Sequence, residues 1–373
     1  MPWCAQILIV DDSRIFRAAL EASLAGQEDI AIVGSVFSGE KALEFIKASP
    51  PDLVTLDVEM PGMGGLETLK AIQRINAGKA TGTEVGVLMV SAYTKRGADI
   101  TVQALQAGAF DFVTKPSGPK PEENVNILRQ QLLGKIRLFM AERNRKRASV
   151  EPATLQLAKS AKQTSRSSPA RSLQSPHRQA VRAIVIAAST GGPKALETLL
   201  PDLVRRVDLP IMVVQHMPPK FTQSLAENLA RLSGSAVLEA SDGDAVREKS
   251  VYIAPGGKHL LLRSDRGRLM IGLNEQSPEN GCRPSADVLF RSAATAIQGG
   301  VLAIVLTGMG RDGTAGLGAI KRAGGYALVQ DEGTSVVWGM PGSAVEAGLA
   351  DEILPLGEIA EAAEALVAAV KTD

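Results

Sequence analysis

Short Val-, Ile- and Leu-rich runs alternate with stretches of helical period along most of the chain. In the N-terminal part these runs are Ile7 to Val10, Ile30 to Val36, Leu53 to Leu56, Val85 to Val90 and Phe110 to Val113. Runs that are apolar throughout mark strands covered on both faces, and strands separated by helices build a parallel sheet. Five of them, closed by a helix from Glu122 to about Arg143, predict a doubly wound unit of the flavodoxin-like kind. From Ala183 the pattern resumes, with strands expected at Ala183 to Ala188, Leu209 to Val214, Ser250 to Ala254, Val301 to Thr307 and Tyr326 to Gln330. This predicts a second doubly wound, mainly parallel α/β domain. A small hairpin is expected over His259 to Ile271, with Asp265, Arg266 and Gly267 near its turn. The two halves share no internal repeat.

Between about Arg143 and Arg182 the alternation stops, and the segment KSAKQTSRSSPARSLQSPHRQ carries no acidic residue. Such a stretch buries too little apolar surface to offset its ordering entropy and reads as a flexible basic linker, a docking site for an acidic partner being the alternative. The expected layout is therefore a domain over 1–140, a linker over 141–181 and a domain over 182–373. A length of 373 residues agrees, since single cores stop growing near about 250 to 300 residues. Lys and Arg total 41 against 40 for Asp and Glu, so no global charge points to nucleic acid or to a membrane surface. The two cysteines, Cys4 and Cys282, fall in different domains without metal-ligand spacing and are expected to be free thiols. The start, MPWCAQILIVDD, lacks a basic region, and no stretch approaches the roughly 20 apolar residues that span a bilayer. A cytoplasmic protein without membrane insertion is expected.

Ligands of an open parallel sheet bind beyond the carboxyl ends of its strands, so residues that follow strands gather on one edge. In the first domain these are Asp11 and Asp12, Asp57, Ser91 and Lys115. Carboxylates at adjacent strand ends repel one another unless a hard cation sits among them, which makes Asp11, Asp12 and Asp57 candidate Mg2+ ligands. Asp57 is then a candidate phosphoryl acceptor, with Lys115 neutralising charge on the transferring oxygens and Ser91 offering a hydroxyl. The alternative is that Asp11 and Asp12 cap the helix that begins near Ser13.

The second domain carries Ser189, His216 and Asp312 in the same strand-end positions. Ser189 in AIVIAASTGGPKALETLL follows a strand and precedes a Gly-bearing turn and a helix, close to the nucleophile elbow of serine hydrolases. His216 follows IMVVQ and is the candidate base, because His177 lies in the linker and His259 opens the hairpin. Asp312 in VLAIVLTGMGRDGTAG would orient the imidazole. The backbone N–H groups of Thr190 and Met309 are the candidate oxyanion donors, and hydrolysis by this set needs no cofactor. Two alternatives stand beside this reading. Ser189 and Thr190 can be a helix N-cap. Gly308 to Gly313 also fits GxGxxG, with Asp331 near 20 residues later, as in a dinucleotide site.

Over about the first 120 positions the chain resembles the response-regulator receiver family, through Asp11-Asp12, Asp57 within LDVEMPGMGG, Ser91 within VSAYT, and Lys115-Pro116. The resemblance implies phosphorylation of Asp57 by a histidine kinase, a metal held by Asp12, Asp57 and a carbonyl near Glu59, and a switch through Ser91, Lys115 and Phe112. Phe112 stands where many receivers carry tyrosine. From Ala183 the chain resembles the chemotaxis methylesterase family, through ASTGGP, QHMP, APGGKH, CRPSAD and LTGMGRDG. This implies a phosphorylation-regulated serine hydrolase, a protein-glutamate methylesterase and glutamine deamidase that acts on the cytoplasmic helices of chemoreceptors. It also implies that Arg283, Pro284, Ser285 and Asp287 line the substrate cleft. A binding module with a vestigial site is the competing class.

Overall fold

The structure is a computed structural model that describes residues 4–150 and 179–369. In the first domain, strands β1 (Ala5–Val10), β2 (Ile30–Val36), β3 (Leu53–Asp57), β4 (Gly86–Ser91) and β5 (Asp111–Thr114) alternate with helices α1 (Arg14–Leu24), α2 (Gly39–Ala48), α3 (Gly65–Asn76), α4 (Lys95–Gln106) and α5 (Pro121–Val150). The strands pair in parallel in the order β2-β1-β3-β4-β5. β1 therefore sits where the winding reverses, with β2 on one side and β3 on the other. The α1 cap is Ser13, whose Oγ accepts the N–H of Phe16; neither Asp11 nor Asp12 is the cap, and Asp11 Oδ1 accepts the Ser13 N–H at 2.9 Å.

The second domain contains β6 (Ala183–Ala188), β7 (Ile211–Gln215), β8 (Ala236–Glu239), β9 (Ser250–Ile253), β10 (His259–Asp265), β11 (Arg268–Asn274), β12 (Val301–Val305), β13 (Tyr326–Gln330) and β14 (Glu352–Leu354). Its helices are α6 (Gly192–Arg206), α7 (Phe221–Ser233), α8 (Ala286–Ile297), α9 (Thr314–Arg322), α10 (Gly339–Glu346) and α11 (Ile359–Ala368). Seven strands pair in parallel in the order β14-β13-β12-β6-β7-β9-β8. β10 and β11 form the expected hairpin, antiparallel, with Arg266 and Gly267 at positive φ in the turn. The edge strands β8 and β14 carry apolar runs of only three and two residues, mostly not buried, and the hydrophobic pattern did not reveal them.

Helix α5 runs ten residues beyond the expected domain boundary at 140, through the first part of the expected linker. Arg143 accounts for this. Its Nε donates to the Gly82 carbonyl, and its Nη1 donates to the Asp52 carbonyl and pairs with Asp52 Oδ1 at 2.9 Å, which pins the helix to the first sheet. Residues 151–178 of the expected linker, His177 among them, lie outside the described residues.

The two sheets share one apolar cluster, because the β5–α4 face of the first domain packs on α6 and α7 of the second. Phe112 stacks on Phe221 with ring centroids 4.6 Å apart. Around this stack lie Lys95 Nζ, 2.7 Å from Glu227 Oε2, and Lys220 Nζ, donating to the Tyr93 carbonyl. Phe221 is fully buried, so Phe221→Ala should lower stability by about 3 kcal/mol through lost burial and a cavity. Urea denaturation should show this, together with unfolding in two resolved steps.

Candidate active site

Three adjacent strands, β12-β6-β7, bring the Ser189, His216 and Asp312 loops to one edge. β6 is the strand at which the winding reverses, and Ser189 follows it directly. The turn after it is specified by its glycines. Gly191 has φ +81°, and a Cβ on Gly192 would lie 1.9 Å from Gln215 Oε1. Gln215 Nε2 in turn donates to the Ser189 carbonyl at 2.9 Å. The α6 N-cap is Gly191, with no side-chain cap bond, so the capping alternative for Ser189 and Thr190 does not hold. Across the turn, a Cβ on Gly308 would lie 2.7 Å from Ser189 Cβ. The glycine loop after β12 thus closes on the serine, and Asp331, the ribose candidate of a dinucleotide site, instead accepts from Thr334.

His216 Nε2 meets Asp312 Oδ2 at 2.8 Å. Asp312 is only 2% exposed, and its charge is met on every side. Oδ1 accepts from Ser285 Oγ (2.7 Å), the Asp287 N–H (3.2 Å) and Asn280 Nδ2 (3.1 Å), and Oδ2 accepts from the Ala286 N–H (2.6 Å). The carboxylate sits at the N-terminus of α8, where unsatisfied N–H groups and the helix dipole favour an anion. Burial by itself pushes Asp312 up, but the His216 bond and charge, with Ser285 and Ala286, hold it well below the usual carboxylate range. For His216, burial pulls the imidazole down, while Asp312 and Cys282 together push it up to about 9. Cys282 Sγ lies 3.6 Å from His216 Nδ1. No hydrogen bond joins Ser189 Oγ to the ring among the described residues. The backbone N–H groups of Thr190 and Met309 take no hydrogen bond among them either, which leaves both free to meet an oxyanion.

Some expected site residues are placed differently. Arg283 Nη1 donates to the carbonyls of Glu275 and Gln276 and does not line the cavity beside Ser189. Ser285 and Asp287 also turn inward, Ser285 to Asp312 and Asp287 to Asn280 Nδ2 and the Gly316 N–H. Fixing Asp312 outcompetes exposure to the cleft for Ser285. His259 is buried, with Nδ1 accepting the Ser285 N–H and Nε2 facing the Ser277 carbonyl, so it holds the same loop from behind.

In the first domain, donor oxygens of Asp11, Asp12 and Asp57 lie within 4.8 Å of one another. Lys115 Nζ bridges Asp11 at 2.7 Å and Asp57 at 2.8 Å. Burial, opposed by Lys115 and reinforced by the Asp11 charge, pushes Asp57 up to about 6. One lysine thus leaves negative charge uncompensated, and an all-oxygen set of this kind fits Mg2+. Ser91 is buried, its Oγ accepting from Thr101 Oγ1 of α4 at 2.8 Å and donating to the Ala92 carbonyl at 3.3 Å.

A family model described as CheB methylesterase matches residues 184–363, and one described as response regulator receiver domain matches residues 7–125. A protein-glutamate methylesterase/protein-glutamine glutaminase of Trichodesmium erythraeum is 42% identical over 357 residues, 95% of this chain and 97% of the relative. The chain belongs to the CheB methylesterase family. A relative of the same name from Geobacillus kaustophilus is 40% identical over 363 residues, 97% of this chain and 98% of its own. The Thermotoga maritima CheB catalytic domain structure, 42% identical, spans 51% of this chain and all of its own, with a TM-score of 0.49.

In this CheB-family chain the receiver forms part of the wall around Ser189. A cavity of ≈ 380 Å³ is lined by Ser189, His216, Cys282 and Met309 on one side and by Asp111 and Lys135 on the other. Asp111 Oδ2 accepts from Thr190 Oγ1 at 2.6 Å and is paired with Lys135. Sequence reasoning passed over Asp111 because it opens a strand instead of ending one. A buried hydrogen bond to a charged group contributes about 1.5 kcal/mol, equivalent to about tenfold in an equilibrium. Asp111→Ala should therefore speed fluorophosphonate labelling of position 189 about tenfold in the unphosphorylated chain, read by gel or intact mass. A base must be neutral to take a proton, so labelling should also fall as pH drops below about 9. The sign for stability is opposite: the His216 contribution is full below the unfolded value of about 6.5 and lost as pH rises through about 9.

Proposed function

We propose that Ser189, His216 and Asp312 carry out ester and amide hydrolysis on side chains of a protein substrate, as the names of the CheB-family relatives imply. The part-buried His216–Asp312 pair, held at 2.8 Å beside the strand-end serine, is the observation that carries this reading. Asp312 bonds Nε2, so Nδ1 is the nitrogen that takes the Ser189 proton. Ser189 Oγ attacks the γ-carbonyl of a methylated glutamate, and the oxyanion is met by the N–H groups of Thr190 and Met309. The imidazolium returns its proton to the leaving methoxide, methanol departs, and an acyl-Ser189 remains. Water, deprotonated by the same imidazole, releases the glutamate carboxylate. A glutamine substrate follows the same path with ammonia as the leaving group, and neither reaction needs a cofactor.

The ring in the resting arrangement offers Nδ1 to Cys282, and the receiver covers the approach, which together suit a silent unphosphorylated state. Asp57 is the acceptor in this reading, and Asp11, Asp12 and Asp57 would hold Mg2+. When bound, the ion supplies positive charge opposite the transferring phosphoryl oxygens. Lys115 stays as the second cation, Ser91 leaves Thr101 to meet the phosphoryl group, and the Phe112 face moves with it. The Phe112–Phe221 stack and the Asp111–Thr190 bond then weaken, and the edge opens. The substrate is placed on the cytoplasmic helices of chemoreceptors and the phosphodonor is a histidine kinase, which puts this chain in the cytoplasm. Among the described residues no helix is long and apolar enough to cross a membrane.

Methanol release from methylated receptor membranes tests this reading. Ser189→Ala should abolish release, and Asp312→Asn should lower it by about 10⁴-fold, as removal of the orienting carboxylate does in other triads. Asp57→Asn should keep the basal rate and lose stimulation by a small-molecule phosphodonor. Undiminished release by Ser189→Ala would remove the nucleophile assignment.

A further inference from the structure

The hydrolase needs both faces of the His216 ring, and the structure fills one of them with a group that the reaction does not use. Nδ1 lies 3.6 Å from Cys282 Sγ. One cation between these atoms would set nearly the same separation. A tetrahedral zinc ion with N and S bonds of about 2.0 and 2.3 Å holds its two ligands about 3.5 Å apart. The donors of His216, Cys282 and Asp312 all lie within 4.8 Å of one another.

The surroundings match what such an ion requires. Asp312 on Nε2 fixes the ring and turns Nδ1 toward the thiol, the carboxylate–histidine–metal arrangement that raises ligand basicity. Ser285 Oγ, Asn280 Nδ2 and the N–H groups of Ala286 and Asp287 engage the Asp312 oxygens, so this carboxylate orients the ligand without joining the ion. Cys282 is half-buried and lines the ≈ 380 Å³ cavity with His216 and Ser189, which leaves room for water at the remaining positions. Sulfur with imidazole selects borderline and soft ions, whereas the receiver carboxylates select hard ones. The two sites therefore discriminate between cations.

We infer that His216 Nδ1 and Cys282 Sγ form an inhibitory site for a thiophilic divalent cation of the zinc class. The inference rests on the reading of His216 as the base for Ser189, because the ion takes the nitrogen that must accept the serine proton. Binding exchanges protons for the metal: a metal–sulfur bond replaces S–H, a metal–nitrogen bond replaces the Nδ1–H that the imidazole carries below about pH 9, both protons leave to solvent, and nothing is oxidised or reduced.

The full chain, stripped of metal with a chelator, is titrated with Co2+ and separately with Zn2+. Co2+ should raise a thiolate-to-cobalt charge-transfer absorption that persists in Cys4→Ser and disappears in Cys282→Ser. Zn2+ should lower methanol release at least tenfold. Cys282→Ser, measured against its own metal-free rate, should need about tenfold or more zinc for half-inhibition, a loss of the size seen when a metal site loses a supporting group. Absence of the cobalt band in the wild-type chain, or equal zinc sensitivity in Cys282→Ser, overturns the inference. Methanol release by the metal-free wild-type chain separates the two readings. A cobalt band without any such release would leave the cation site standing and remove its inhibitory role together with the hydrolase.

Discussion

The catalytic edge depends on one buried anion. Asp312 is sealed from water, and a bare carboxylate there would be neutralised or expelled. It stays charged because four protein donors and an imidazole surround it, two of the donors being N–H groups of the first turn of α8. Each of these contacts fixes another part of the site. The Ser285 hydroxyl ties down the loop that carries Cys282, Asn280 links Asp312 to Asp287, and Asp287 reaches the Gly316 N–H in α9. Helices α8 and α9 are thus joined through the group that orients His216. The network resists piecemeal change, since removing one member leaves the others buried and unpaired.

The receiver uses the same device at its own edge, with a different balance. Asp11 and Asp57 are buried beside each other and share one lysine, so their charge is incompletely met and burial holds Asp57 above the usual carboxylate range. An over-satisfied carboxylate makes a fixed support, whereas an under-satisfied one makes a site that gains by acquiring a cation. The two domains of this CheB-family chain therefore differ less in fold than in how completely each neutralises the acids at its strand ends.

Much of this was legible in the sequence, for an identifiable reason. Val/Ile/Leu runs fix where buried parallel strands lie, and a parallel sheet sends every strand-end residue to one edge, so Asp57, Ser189, His216 and Asp312 could be picked out without coordinates. The edge strands β8 and β14 were missed because they are short and only partly covered, and length and burial are what make a run visible. Arg283 and Ser285 were assigned to the cleft because they belong to a motif, yet the pull of a buried carboxylate and of two free carbonyls turned them away. Asp111 and Cys282 were invisible as site residues, since each acquires its meaning only from a partner 79 or 66 positions away. Contacts of that kind come from tertiary packing, and single-chain periodicity carries no trace of them.

Helix α5 reaches the catalytic domain through contacts that include two set far apart along it. Lys135 does so through Asp111 and Thr190, and Arg145 does so directly at Glu332. Ten residues of helix separate them, about 15 Å along a stiff rod. The mounts are unequal: in the first, Asp111 and Thr190 are buried although Lys135 is partly exposed, whereas the Arg145–Glu332 pair is open to ions and contributes little in their presence. At low ionic strength the rod is clamped at both ends. In concentrated electrolyte the outer clamp slackens while the buried contact beside Ser189 keeps its hold, so the grip of α5 on the second domain is a property of the buffer as well as of the fold.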